Sequence, residues 1–441
     1  MKTKVGVVSL GCDKNRVDTE VMLHRLVEGG YEITPDAKDA DVIIVNTCAF
    51  LESARKEAIE TLFEMARFKQ NGRCQKVIVT GCLGQKFGGE VFDEMDEVDA
   101  VVGTYEYDRI CDIVAQTLQG SRQLYNSCND GLTVGSRVLT TAPHVAYLKI
   151  ADGCDNYCTY CLIPFIRGRY RSVPMPQLIA EAKTLAAQGV RELIVVAQDT
   201  TRYGKDLYGE PRLVELIRQL SEIEQIRWIR LLYCYPELMT DELIAEISGN
   251  DKVVNYVDIP LQHINSAILR KMNRKSDGDS IRNLFDKLNA AGIAVRSTFI
   301  CGFPTETKQT VAELEQFLTQ YKIRNAGFFA YSQEEGTAAA KFADQVPERT
   351  KQCYLKQLYK VQNGVALALN QQEVGKTYTC VIDEEDGADD DFYFYKGRSY
   401  FMTPEIDGVV YVASRKPLNI GEFYQVKITG VAEYDLIGEV E

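Results

Sequence analysis

Apolar and polar positions along this chain follow three successive rhythms. From residue 1 to about 135, short β-rich runs (VGVVSL, DVIIVN, KVIVT, DAVVG) alternate with stretches of helical period. RVDTEVMLHRLVEGG and LESARKEAIETLFEMARFKQNG are two such stretches, each closing near a glycine as helix C-termini do, and RICDIVAQTLQG closes the segment. Residues of about 121–143 read as a polar connection. Strand–helix–strand alternation predicts an open parallel α/β sheet covered on both faces. From about 144 to 345 the beat becomes regular, with apolar runs at VAYLKIA, ELIVVAQ, WIRLLYC, NYVDIPL, AVRSTFI and AGFFAYS separated by helical stretches. Six βα units fall short of a closed eightfold barrel, so a partial (β/α)6 barrel is expected, with its working groups on loops at the strand C-termini. After a linking helix at about 347–372, five short β-runs (TYTCVID, FYFYKGR, GVVYVAS, FYQVKITG, IGEVE) predict a small all-β, OB-like barrel. The expected domains are therefore 1–135, 140–370 with the linking helix, and 371–441.

A length of 441 residues with 45% apolar side chains suits several sizeable cores. No apolar run approaches membrane-spanning length. The start, MKTKVGVVSLGC, reads as a first buried strand and not as a signal peptide, so a cytoplasmic protein with no membrane partner is expected. In that compartment 13 cysteines point to metal or redox chemistry and not to a disulfide framework. The net charge of −13 is uneven: residues 371–441 hold 15 acidic and six basic side chains, including the run DEEDGADDD.

Cys154, Cys158 and Cys161 stand C-x3-C-x2-C on one short loop after an apolar strand. Three thiolates so placed can bind three irons of a [4Fe–4S] cube and leave the fourth open for a small molecule. Zinc is the alternative, but it prefers four ligands in paired C-x2-C units, and no Cys or His follows closely enough to complete a tetrahedron. Cys12, Cys48 and Cys82 each end an N-terminal strand (SLGC, NTC, TGC), one βα unit apart. At the carboxyl edge of a parallel sheet such positions gather, so they form a second candidate set; plain packing of small thiols is the alternative. Packing is expected for the cysteines at 74, 111, 128, 234, 301, 353 and 380.

The C-x3-C-x2-C run is the signature of radical S-adenosylmethionine (SAM) enzymes. With the N-terminal triplet, LKIADGCDNYCTYCLIPFIRGRYRS and PEIDGVVYV, the chain resembles the radical SAM methylthiotransferases over nearly its whole length. The resemblance implies two [4Fe–4S] clusters, SAM as methyl donor and radical source, and a C-terminal barrel of the TRAM type. SLGCDKNRVDTE resembles the RimO-type branch, which adds a methylthio group to the β-carbon of an aspartate in small-subunit ribosomal protein twelve. A low-potential electron donor such as a flavodoxin or ferredoxin is implied as well. One departure is Val173, in RGRYRSVP, where a basic residue is expected; its effect is placed on the substrate-facing surface.

Gln198, at the end of the second barrel strand beside Asp199, and Arg296, in the fifth, are the candidate SAM contacts. An internal ion pair for Arg296 and ordinary satisfaction of His263 are the alternatives. Arg167, Arg169 and Arg171 form either a solvated face or a guide for an acidic substrate region. Nucleic-acid binding rewards Lys and Arg, and the acidic C-terminal domain carries the opposite charge. A basic ribosomal protein is thus the expected partner and tRNA is not. The competing readings are a tRNA-adenosine methylthiotransferase and a non-catalytic iron–sulfur electron carrier.

Overall fold

The structure, a computed structural model, describes residues 2–127 and 131–441; Cys128 lies outside them. The N-terminal sheet is β1 (Lys4–Ser9), β2 (Glu32–Ile33), β3 (Val42–Thr47), β4 (Lys76–Gly81), β5 (Ala100–Val102) and β6 (Gln123–Tyr125). All are parallel, in the order β2-β1-β3-β4-β5-β6. The edge strands β2 and β6 were not expected, β6 falling within the stretch read as a connection. Two or three residues are too few to carry a periodic signal. The strand order reverses between β1 and β3, and in open α/β sheets the crevice beyond such a switch point is where ligands bind.

In the central body, β7 (Val145–Lys149) leads into a two-stranded ladder, β8 (Ala151–Asp152) with β9 (Arg171–Ser172). β10 (Glu192–Val196), β11 (Trp228–Leu231), β12 (Val253–Asp258), β13 (Ala294–Cys301) and β14 (Asn325–Ala330) follow. With β7 they form an open parallel sheet in sequence order, the expected partial (β/α)6 barrel. Leu148, Leu193, Val195, Leu231 and Phe299 face the outer helices. Tyr147, Ile194, Trp228 and Tyr256 on the inner face join the core of the C-terminal barrel. Burial on both faces is why β10 reads ELIVV with no alternation.

The linking helix, Glu348–Gln371, leads to β15 (Thr377–Ala388), β16 (Tyr393–Ser399), β17 (Val410–Ser414), β18 (Phe423–Ala432) and β19 (Asp435–Val440), a closed barrel ordered β15-β16-β17-β19-β18. It seats on the central body through Trp228, whose ring meets Phe423 edge-on at 4.9 Å. Beneath that contact lie buried ion pairs from Glu192 to Arg230 and to Arg398, each 2.8 Å.

The first helix, α1 (Asp13–Glu28), binds the N-terminal sheet to the central body. Lys14, Asn15, Asp18, Thr19 and Glu20 are buried together with Val17, Val21 and Met22. Its acidic groups meet cations of the central body and of the connection before it: Asp18 pairs with Lys149 and, at 2.6 Å, with Arg167, while Glu20 meets Arg137 of the connection at 3.2 Å. Buried charges persist only when paired, and these pairs span the boundary between the two bodies. Among the described residues no helix is long and apolar enough to cross a membrane.

Candidate functional site

Cys12, Cys48 and Cys82 follow β1, β3 and β4, so the switch point of the sheet collects them at one edge. Burial pushes the Cys82 thiol up to about 12 against the pull of Arg167, and the neighbouring Cys48 and Cys12 thiols add to the rise. Burial and Cys12 likewise push Cys48 up. The three are thus mutual neighbours. Gly11 has φ +93°, and a Cβ there would stand 2.7 Å from the Cys48 Cβ, so only glycine allows this approach. Gly81, at φ +95°, is equally confined, with the Thr47 carbonyl oxygen 2.5 Å from where its Cβ would be.

Cys154, Cys158 and Cys161 lie on the loop between β8 and β9. Burial, with a backbone hydrogen bond from Asn156 acting the other way and Cys158 adding to the rise, pushes Cys154 up to about 12. Burial, then Cys158, raises Cys161 further, with Cys154 contributing. The Ile163 amide donates to the Cys161 sulfur at 3.4 Å. Twelve cysteines are described and all are free thiols. Six form these two triplets; of the remaining six, Cys74, Cys234, Cys301 and Cys380 are buried as packing predicts, Cys111 is half-buried, and Cys353 is exposed. For Cys353 the packing expectation fails.

The donor set fits iron–sulfur clusters: crowded thiols, with Cys82, Cys154 and Cys158 buried, Cys48 and Cys161 half-buried and Cys12 exposed, backbone amides aimed at sulfur, and glycine backbone drawn against them. A bound cation inverts the cost of ionising such thiols. No group of three or more His, Cys, Asp or Glu among the described residues is arranged to hold a single metal ion. A cube asks for another arrangement, one thiolate per iron.

The two triplets open on common ground. Burial, then Asp13 and Cys12, hold the Tyr233 hydroxyl well above its ordinary range. Two residues on, Tyr235 is raised by burial and then by Cys158, with Cys154 adding. The segment Tyr233–Tyr235, just beyond the C-terminal end of β11, therefore lies within electrostatic reach of both triplets, Tyr233 of Cys12 and Tyr235 of Cys158 and Cys154. Arg167 bridges the same gap: it bonds Asp18, Asp152 at 3.1 Å and the Asn15 side chain. Burial opposes its charge, and Asp18, the Cys82 thiol and Asp152 outweigh that opposition, holding the guanidinium well above its ordinary range.

Arg167 is thus 2% exposed and neither a solvated face nor a substrate guide. Arg169 is open to solvent, its side chain 86% exposed, and Arg171 is half-buried. Val173 is fully buried in the main core, so its departure from a basic residue does not reach a substrate-facing surface. Gln198 donates to Asp152 at 2.9 Å and its Oε1 is buried without a partner among the described residues. Arg296 bonds Asp258 at 2.8 Å and lies 3.4 Å from Asp407 of the C-terminal barrel, which is the internal pairing open to it from the sequence. Asp199 takes a hydrogen bond from Asn156 in the cysteine loop at 2.9 Å. His263 accepts two backbone amides at Nδ1, which fixes its proton on Nε2 facing the buried Glu306 at 2.9 Å. Asp18, Lys149 and Asp152 escaped sequence reasoning. The signal was polar residues (Asn15, Asp18, Thr19) at helical spacing on the stripe that continues through Met22 and Leu26.

Residues 4–103 match the model of uncharacterized protein family UPF0004, residues 148–318 the radical SAM superfamily and residues 374–440 the TRAM domain. The chain is 47% identical to the ribosomal protein uS12 methylthiotransferase RimO of Clostridium botulinum (strain Eklund 17B / Type B), covering 100% of this chain and 98% of that one. The protein of the same name from Acetivibrio thermocellus is 46% identical, over 100% and 99%. The chain belongs to the RimO family. It is accordingly a radical SAM methylthiotransferase, and the tRNA-adenosine alternative finds no support among these RimO relatives. Among solved structures, the radical SAM methyltransferase TsrM from Kitasatospora setae superposes with a TM-score of 0.55 at 15% identity, over 75% of each chain. The radical enzyme OxsB gives 0.53 at 12%, over 82% of this chain and 55% of that one. At such identities these two speak for the fold alone.

Proposed function

We propose that this chain adds a methylthio group to the β-carbon of an aspartate in ribosomal protein uS12, in the cytoplasm. Cys154, Cys158 and Cys161 would hold one [4Fe–4S] cluster, whose open iron would take SAM, and Cys12, Cys48 and Cys82 would hold the other. When bound, these groups supply the radical, the methyl group and the sulfur that no side chain provides. The observation that supports the reading is the pair of free-cysteine triplets joined through Arg167, which bonds Asn15 and Asp18 just after Cys12 and Asp152 just before Cys154.

The chain's own residues position and enclose. The buried pairs of α1 with Lys149, Arg167 and Arg137 hold the two sets at a constant separation, and Tyr233 and Tyr235 wall the space between them. Gln198, with an unpartnered oxygen, is the better placed of the two predicted SAM contacts, because Arg296 already serves two carboxylates. On the C-terminal barrel, Asp383 is tied to Arg398 and His144, while Glu384, Glu385, Asp386, Asp389, Asp390 and Asp391 are exposed. Such a surface attracts a basic protein and repels nucleic acid. A low-potential donor of the flavodoxin or ferredoxin kind completes the reading. Mass spectrometry of uS12 from a strain lacking this gene tests it: the protein should lose about 46 Da, one SCH3 in place of H. Retention of that mass rejects the proposal.

A further inference from the structure

Lys14 differs from the cations packed around α1, and shares with Arg274, which lies 4.1 Å over the Tyr235 ring, the lack of a carboxylate partner among the described residues. Lys149, Arg167, Arg137 and Arg16 each meet a carboxylate. Lys14 is 6% exposed, yet among the described residues no carboxylate stands within ion-pair distance of it. Its ammonium lies over the ring of Tyr233, 3.2 Å from the centroid. An aromatic face offsets only part of what an ammonium loses on leaving water.

The ring beneath it is held deliberately. Tyr233 has φ +58°, a left-handed backbone that a bulky residue rarely adopts. Its N–H donates to Asp258 at 3.1 Å and its hydroxyl to Asp13 at 3.0 Å, so it is clamped at both ends. Lys14 follows Cys12 by two positions, and Tyr233 faces that same thiol. The result is a largely buried ammonium without a carboxylate within ion-pair distance among the described residues, seated on the ring that Asp13 holds by its hydroxyl and two positions from Cys12.

We infer that Lys14 binds the carboxylate of the substrate aspartate and selects aspartate over its amide; this rests on the function proposed above. The β-carbon is bonded directly to the carboxylate carbon, so holding the carboxylate places the reacting position one bond away. SAM also carries a carboxylate, and the test separates the two sources.

Holoenzyme with both clusters is titrated against fluorescent peptides of the uS12 loop carrying Asp or Asn at the target, followed by anisotropy, while SAM binding is measured by equilibrium dialysis. Wild type should prefer the Asp peptide on the order of 30-fold, as expected for a largely buried charge pair. Lys14→Met and Lys14→Gln should bind both peptides alike, with iron content and SAM affinity unchanged, and Lys14→Arg should recover part of the preference. Either neutral variant that folds carries the comparison. An Asp preference that survives in them overturns the role of Lys14 alone. Lost SAM binding with the preference intact assigns the charge to SAM and overturns it too. Wild type that binds neither peptide overturns the uS12 reading and this one with it.

Discussion

Arg398→Met isolates the contact that seats the C-terminal barrel on the central body. Arg398 is 2% exposed and reaches Glu192 at 2.8 Å and both oxygens of Asp383 at 2.7 and 2.9 Å. Its removal leaves Glu192 with Arg230 alone and Asp383 with His144 alone, two carboxylates each short of a partner. Breaking such a buried network costs about 3–5 kcal/mol; the surviving partners put the loss near the lower end, about 3 kcal/mol. The chain's single tryptophan, Trp228, packs on Phe423 in this interface and reports it without a label. With a urea dependence of about 1–3 kcal/mol/M, the Trp228 emission midpoint should fall by about 1–3 M. The pH profile supplies the sign. Burial raises Glu192 and Asp383, but Arg398 outweighs it at both, with Arg230 and His144 assisting, so both carboxyls sit below their ordinary range. Depressed carboxyl values stabilise the fold fully above the unfolded pKa of about 4, and that stability is lost as pH falls below it. Arg398→Met should flatten this acid limb. A midpoint shift below about 0.3 M, or an unchanged acid limb, refutes the reasoning.

Cys158→Ala should lower anaerobically measured iron from about eight to about four per chain, leaving the Cys12, Cys48 and Cys82 set loaded; loss of all iron, or of none, contradicts two independent sets. Gly81→Ala puts a side chain on a left-handed backbone against Thr47, and the thermal midpoint should drop by the equivalent of about 2 kcal/mol or more. Gly89→Ala, in the helix Cys82–Glu94 with nothing within 4 Å of the new Cβ, should be neutral or stabilising by up to about 1 kcal/mol in the same melt.

Strands buried on both faces announce themselves as short apolar runs, which is why β3, β4, β7, β10 and β11 were legible, while β13 shows the alternation of a strand with one buried face. The cysteine triplets were legible for a related reason: strand ends of a parallel sheet share an edge, so phase in the sequence becomes proximity in space. Helix α1 was only half legible. Its period marks it as a helix, but Asp18 and Glu20 look like solvent-facing residues until Lys149, Arg167 and Arg137 arrive from more than 100 positions away. Arg296 shows the same limit, since Asp407, which lies beside it, comes from another domain. Val173 sits in the core because Tyr203 and the outer helices close over it, which a local motif does not reveal.

Because α1 starts at one thiol of the first triplet and is gripped by both bodies, it acts as a strut. Asp18 and Glu20 fasten it by buried ion pairs to Lys149, Arg167 and Arg137, so load on one sulfur face is passed to the other through the helix. Separate expression of either body would leave it with raw, uncompensated charges where the other had rested.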